Sequence, residues 1–376
     1  MLSTYILGMK LDTPVVIAPG PWSRGTENLR KAFESGAGAV FTETITGESY
    51  PDLSPRYEFS NVTGGLENIR LYSKLDLEEW IGILYEVDDK KRFGSSAKLI
   101  ASVMGSSPSE LAYVARKVER TGVDGIELGL ACPMGEGPAV VAGNPDMVYE
   151  YVRTACDAVS LPVSVKLSSS CADLPLVVRA CIRAGAKGVS AIDTVRGILS
   201  IDIEKRTAGL PTYGGYSGAP IRPIGLSTVA GIAQTSSIPV VGIGGIENYV
   251  NLIEYIMAGA SAGAVGSQIL LRGYDVVSEI VEGFDRWTGE QGIADIEDIR
   301  GAALSSLRSF EELKVESKVA QTCITCQDSE CGKCVSCCLD DAVTFDGVVS
   351  INKERCTGCG LCISICPENR LRLVWK

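Results

Sequence analysis

Along the first 270 or so residues the chain alternates between two patterns. Short runs rich in β-branched and other apolar residues stand at 14–19, 39–44, 98–104, 125–130, 162–167, 188–193, 239–244 and 263–267. Between most of them lie segments with the three-to-four-residue apolar spacing of amphipathic helices, such as SELAYVARKVERTG and NYVNLIEYIMAGA. Strand–helix alternation predicts parallel strands joined by crossover helices. Eight such units fit a closed (β/α)8 TIM barrel of the α/β class better than an open doubly wound sheet. Residues 47–75 break the alternation as a long irregular insertion after the second strand, suited to a lid or interface element. Residues 273–318 read as two or three helices that close the barrel and lead out of it. Near 320 the pattern stops and cysteine takes over. The expected domains are therefore a barrel over residues 1–318 and a small second domain over 319–376.

Composition narrows the chemistry. Nothing in the N-terminal stretch MLSTYILGMKLDTP reads as a basic, then apolar, export signal, and no run of eighteen uncharged apolar residues occurs, so a cytoplasmic chain without a membrane span is expected. The net charge of −11, without a long basic run, argues against nucleic acid as a partner. The chain has no histidine, so any general acid or base must be Cys, Asp, Glu, Lys or Tyr. Ten of its 14 cysteines lie between 323 and 366, a density that in a large chain without an export signal points to metal rather than disulfides.

The run CTGCGLCISICP places Cys356, Cys359, Cys362 and Cys366 in the C-x2-C-x2-C-x3-C-P spacing of a 4Fe–4S site, in which the fourth thiolate reaches a second cluster. Upstream, Cys334 and Cys338 repeat the C-x3-C spacing. Ahead of them Cys323, Cys326 and Cys331 offer three thiols for two places. Spacing admits Cys323 with Cys326, or Cys326 with Cys331. Cys337 is surplus. The duplicated pattern predicts a bacterial-type ferredoxin domain with two 4Fe–4S clusters that carry electrons.

In a (β/α)8 barrel the site lies on loops at the C-terminal ends of the strands, with phosphate after strands seven and eight. Those loops here carry Gly244 and Gly245, and Gly266 and Ser267, able to turn backbone N–H groups toward a phosphate at helix N-termini. No Rossmann glycine fingerprint follows an early strand, so no nicotinamide site is expected in this chain. Lys166, ending the fifth run, either snorkels or sets a positive charge where a reduced flavin would need one.

These motifs together resemble the dihydroorotate dehydrogenase superfamily, above all the FMN barrel and two-cluster domain at the C-terminal end of dihydropyrimidine dehydrogenase. TYGGYSGAPIRP (212–223) carries the resemblance most specifically, and ENIRLYS (67–73), SVKL (164–167), DTVRG (193–197) and GGI (244–246) fall in the same order. The resemblance implies FMN and two 4Fe–4S clusters as cofactors. It makes Cys132, in LACP, the acid/base that acts on the substrate opposite the flavin. It places Lys166 at the flavin N1/O2 edge and Thr194 and Gly218 beside the ring, with Gly244, Gly245, Gly266 and Ser267 around the phosphate. Gly20 and Thr42 complete the expected cofactor-binding set. It also implies a separate electron-transfer partner, a flavoprotein or ferredoxin, and self-association. Cys156, Cys171 and Cys181 fall on helices or helix starts and read as core thiols.

The departures concern the substrate. The family's second-strand lysine becomes Glu43, and its Asn-Thr pair becomes Asp193-Thr194. An asparagine before the Cys-Pro motif becomes Gly129, the polar residue after it becomes Met134, and a third-strand loop asparagine falls near Pro108. Lysine to glutamate and asparagine to aspartate would make the pocket more negative by three charges. One unit pair at 4 Å is worth about 4 kcal/mol at an effective dielectric of 20. A neutral or cationic substrate with N–H donors is expected, and Glu43 and Asp193 join Cys132 and Lys166 as catalytic candidates, one acid being a possible proton donor. In the plainer alternative Glu43 pairs with a neighbouring Lys or Arg. The leading expectation is thus an FMN and iron–sulfur oxidoreductase acting on a CH–CH or CH–NH bond of a small non-orotate substrate. Its rivals are a non-catalytic electron-transfer subunit and an RNA dihydrouridine synthase-like enzyme.

Overall fold

The computed structural model describes residues 2–132, 141–171, 173–314, 317–327 and 331–376. Met134 lies outside them. Two compact units divide the chain, residues 1–307 and 308–376.

In the first unit the eight predicted runs form eight parallel strands: β1 (Val15–Ile17), β2 (Ala39–Phe41), β3 (Lys98–Val103), β4 (Gly125–Leu128), β5 (Val163–Leu167), β6 (Gly188–Ala191), β7 (Val240–Ile243) and β8 (Ala262–Val265). They close in chain order, β8 pairing with β1 from Gly263 opposite Val15 to Val265 opposite Ile17. Every residue of β1, β2, β4, β5, β6 and β8 is buried, which is why they read as continuous rather than alternating apolar runs. The crossover helices start where the sequence provides caps. Asn144 accepts from the N–H groups of Asp146 and Met147, Asp173 from that of Leu176, and Asn248 from those of Val250 and Asn251. Cys181 is fully buried on one such helix, and the Cys171 thiol donates to the Ala142 carbonyl at 3.2 Å.

The 47–75 insertion is more regular than expected. Tyr57–Ser60 and Gly65–Asn68 pair as an antiparallel hairpin. The second of these strands pairs with Gly214–Gly218, which pairs in turn with Val195–Gly197, so four strands from two distant segments make one small sheet. Irregular composition hid this sheet because half of its partners lie 130 or more positions away, a separation that local pattern does not register.

The second unit repeats one design twice. Gly332 and Gly360 adopt positive φ, each followed by a single helical turn, Lys333–Ser336 and Leu361–Ser364. Lys318–Thr322 pairs with Leu371–Trp375, and Val343–Phe345 with Val349–Ile351. Ala320, Val343, Val349, Cys362 and Leu371 form its small core. Among the described residues no helix is long and apolar enough to cross a membrane.

Candidate active site and cluster sites

Loops at the C-terminal ends of the barrel strands surround one cavity of about 1200 Å3, including its open mouth. Gly20, Glu43, Cys132, Lys166, Asp193, Thr194, Gly218, Gly244, Gly245, Gly266 and Ser267 all line it. Thr42 does not, which corrects its place in the expected cofactor-binding set. Its hydroxyl is buried in the barrel wall and accepts from the Ser102 N–H at 3.0 Å. Thr44 lines the cavity instead.

Part of the wall is backbone held in place from behind. The buried Tyr255 hydroxyl donates to the Gly244 carbonyl at 2.7 Å. Gly245 has φ +66°, and a Cβ there would stand 2.8 Å from Arg222 Cβ and 2.9 Å from the Gly218 carbonyl oxygen, so only glycine fits. The helix Ser267–Arg272 begins without a side-chain cap, next to the cavity-lining Gly266. The β1 loop is fixed by Trp22, whose indole N–H donates to the Ala18 carbonyl at 2.7 Å, and by the Tyr274 hydroxyl, which donates to the Trp22 carbonyl at 2.6 Å.

Lys166 is buried and pairs with Glu127 at 3.2 Å. Burial pulls its pKa down, but the charges of Glu127 and Asp193 outweigh it, and the ammonium is held above its ordinary value. Glu127, wholly buried, also accepts from the Ser190 hydroxyl. The cavity therefore contains a permanent cation, close-fitting glycine loops and the buried Cys132. This lining suits a flavin mononucleotide, with Lys166 as the cation and the β7 and β8 loops as the anion cradle.

Another part of the wall comes from the insertion, and sequence reasoning missed most of it. Arg70 is buried, its side chain 4% exposed. One guanidinium nitrogen bonds Glu43 and the other bonds Asp52 at 2.7 Å. Arg24 stands 3.7 Å from Glu43, and Arg56 and Lys74 reach Asp52. Glu43 is thus paired, and the three-charge shift inferred from sequence does not arise. Burial works to raise the Asp52 pKa, but hydrogen bonds from Arg70 and Lys74 and the charge of Arg56 prevail and hold it at about 2. Tyr57, Asn68, Arg70 and Tyr72 line the same cavity. The only signal for them was that three of the four fall in ENIRLYS.

In the second unit, Cys337, Cys338, Cys356, Cys359 and Cys362 line one small cavity. Cys334 lies within electrostatic range of Cys326 and Cys331, and Arg370 within range of Cys326 and Cys366. Cys323 is exposed, its thiol directed at the Asn369 carbonyl 3.5 Å away. Backbone N–H groups of Ala320, Ala342 and Arg370 point at the sulfurs of Cys356, Cys338 and Cys366 at 3.2–3.3 Å. Two sets of thiols, each touched by backbone donors, suit two 4Fe–4S clusters.

A flavin-type barrel joined to a two-cluster unit is the class that this fold and these sites define. Residues 1–287 match the dihydroorotate dehydrogenase family and residues 349–369 the 4Fe-4S binding domain. The chain belongs to the dihydroorotate dehydrogenase family. It is 36% identical over 308 residues to the catalytic subunit of dihydroorotate dehydrogenase B (NAD(+)) from Pyrococcus abyssi, covering 81% of this chain and 99% of that one. It is 28% identical to the NAD-dependent dihydropyrimidine dehydrogenase subunit PreA of Escherichia coli, covering 99% of this chain and 95% of that one. A crystal structure of DHODH from Eimeria tenella in complex with ferulenol superposes with a TM-score of 0.69 at 18% identity, over 80% of this chain and 88% of that one, a likeness of fold. The protein is an oxidoreductase of the class acting on CH–CH bonds, with FMN and 4Fe–4S clusters as its cofactors.

Proposed function

We propose that this chain exchanges a hydride between FMN N5 and a small substrate other than orotate, with Cys132 as acid/base, and that the electrons pass through two 4Fe–4S clusters to or from a separate electron-transfer protein. The observation that carries this reading is the convergence of Cys132, Lys166, Asp193 and the glycine loops on one cavity. Bound FMN supplies a two-electron centre that can also hand on single electrons. Lys166 holds a fixed positive charge at that centre, and its partner Glu127 fixes its direction. Cys132 takes a proton from, or returns one to, the substrate carbon beside the reacting one. Burial of the thiol keeps bulk water from competing for that proton. Asp193 is oriented by the Thr194 N–H, which donates to it at 2.6 Å.

For the clusters, the grouping taken together with the C-x2-C-x2-C-x3-C spacing supports Cys326, Cys331, Cys334 and Cys366 as one ligand set and Cys338, Cys356, Cys359 and Cys362 as the other. This takes the second of the two spacings that the sequence admits and leaves Cys323 and Cys337 outside the ligand sets. The names of the relatives, a catalytic subunit and a subunit, support an electron-transfer partner for this chain also.

The test is anaerobic purification with cofactor extraction, iron and sulfide assay and a visible spectrum. One FMN with about eight iron and eight sulfide per chain is expected. Flavin that is absent even after reconstitution overturns the reading. Turnover of dihydroorotate at rates typical of enzymes overturns its substrate clause.

A further inference from the structure

The four-stranded sheet that helps to wall the cavity has two faces. One presents Tyr57, Leu66 and Asn68 to the cavity. The other carries Glu58 and Glu67, because side chains alternate along a strand and these two residues stand directly opposite each other in the register. Glu67 is 1% exposed. Neither carboxylate belongs to the ion cluster around Arg70, and among the described residues no Lys or Arg pairs with either.

Each carboxylate is tied down through one oxygen only. Glu67 Oε2 accepts from the Leu199 N–H at 2.7 Å, and Glu58 Oε1 accepts from the Ser200 hydroxyl. Successive residues of one segment thus hold the two carboxyl groups side by side, next to the hairpin made by Ile201–Asp202 and Thr207–Ala208. The second oxygen of each, Glu67 Oε1 and Glu58 Oε2, is buried and has no hydrogen-bond partner in the protein. Both of these oxygens lie against glycine. A Cβ at Gly214 would collide with Glu67 Oε1, and one at Gly209 with Glu58 Oε2. Neither glycine has a positive φ. It is room for the carboxylates, not a turn, that calls for glycine at both places.

A carboxylate oxygen only accepts, so two of them side by side without a protein cation ask for positive charge. The donors are hard oxygens, with no thiol or imidazole to favour a softer metal. A divalent ion balances both charges. Calcium takes carboxylates, carbonyls and water in a flexible shell, whereas magnesium demands near-ideal octahedral geometry. Glu58 is only half-buried, so water can fill the remaining coordination places from that side.

We infer that Glu58 and Glu67 form a calcium site, which fastens the segment after Leu199 to the back of the sheet whose other face walls the cavity. The inference does not depend on the proposed function.

The test is equilibrium dialysis of the full-length protein, cleared of divalent ions with EGTA, against radioactive calcium in excess magnesium at neutral pH. About one calcium per chain should bind. Glu58→Gln and Glu67→Gln keep the shape of the side chain and should each weaken binding at least about tenfold, because affinity follows the charge of the ligands. Asp202→Asn, on the same hairpin but engaged by Lys205, should leave it unchanged. Calcium should also raise the thermal unfolding midpoint of the wild type, and a much smaller rise is expected for Glu67→Gln. Flavin and iron contents, assayed in parallel, should be the same with and without calcium. No uptake and no thermal shift in the wild type overturns the inference and leaves the two carboxyl groups to share a proton. Uptake that survives both glutamine variants overturns it as well, because the calcium is then held elsewhere.

Discussion

Two parts of one cavity wall are built by different means. Around Gly244, Gly245 and Gly266 the wall is backbone, shaped above all by Gly245, which tolerates no Cβ, and braced from behind by Tyr255 and Trp22. Around Glu43, Arg70 and Tyr72 it is side chain, and most of those side chains come from the 47–75 insertion rather than from the barrel. Backbone N–H groups can hold any phosphate, so the first wall suits a cofactor common to a family. Side chains change one at a time without disturbing a strand, so the second wall is where a substrate can be exchanged.

The sharpest way to separate the two walls is Cys132→Ala. On the proposed reading it removes proton transfer and should lower turnover by about 10²–10⁴, while FMN content, read from the extracted cofactor, stays at the wild-type level. Parallel loss of flavin would mean that Cys132 belongs to the cofactor wall.

Next in size is the ion cluster. Glu43→Ala leaves Arg70 with Asp52 alone and Arg24 without its carboxylate. Breaking a buried pair costs about 3–5 kcal/mol, and the remaining Asp52 contact puts the expected loss near the lower end, about 3 kcal/mol, measurable by denaturant unfolding. The same cluster has an acid limb. Asp52 titrates at about 2 in the folded protein, against about 3.9 for an unperturbed aspartate. A depressed carboxyl stabilises above its unfolded pKa, and that contribution disappears as pH falls from about 4 to 2. Asp52→Asn should remove this step from an acid titration followed by tryptophan fluorescence.

This cluster also marks how far the sequence could be read. The barrel, the cysteine module and the glycine loops were legible because each is written in local spacing: strand period, C-x2-C repeats, a turn before a helix. The ion cluster joins residues 24, 43, 52 and 70. Nothing local couples an arginine in the first loop to a glutamate at the second strand, so the pairing of Glu43 with a Lys or Arg stood only as the plainer alternative, with no partner named. Cys326, Cys331 and Cys323 were undecided for a related reason: spacing says which thiols can reach, not how the fold groups them. The helix thiols were read by burial logic, and desolvation indeed pushes Cys156 up to about 11 and Cys181 up to about 12. Both should resist alkylation by iodoacetamide in native protein near neutral pH, where the thiolate is scarce.

Gly245→Ala probes the other wall. The added Cβ meets Arg222 and the Gly218 carbonyl, and positive φ adds strain of about 1–3 kcal/mol. FMN retention should fall by roughly tenfold or more, while turnover per bound flavin, measured on the fraction that keeps it, is unchanged. A matching loss of turnover per bound flavin would show that the two walls are not separable.

The smallest effect belongs to Thr42, the residue whose place was misjudged. β2 ends at Phe41, so the alternation of the strand does not carry on to Thr42. Beyond it Glu43 and Thr44 both face the cavity, while Thr42 turns into the wall to accept from the Ser102 N–H. Thr42→Val keeps the shape and removes that acceptor, leaving a buried N–H unmatched. The expected cost is about 1 kcal/mol of stability, with FMN content at the wild-type value. Loss of flavin in this variant would return Thr42 to the cofactor set and place a third kind of residue, one acting through the barrel wall, between the two walls compared above.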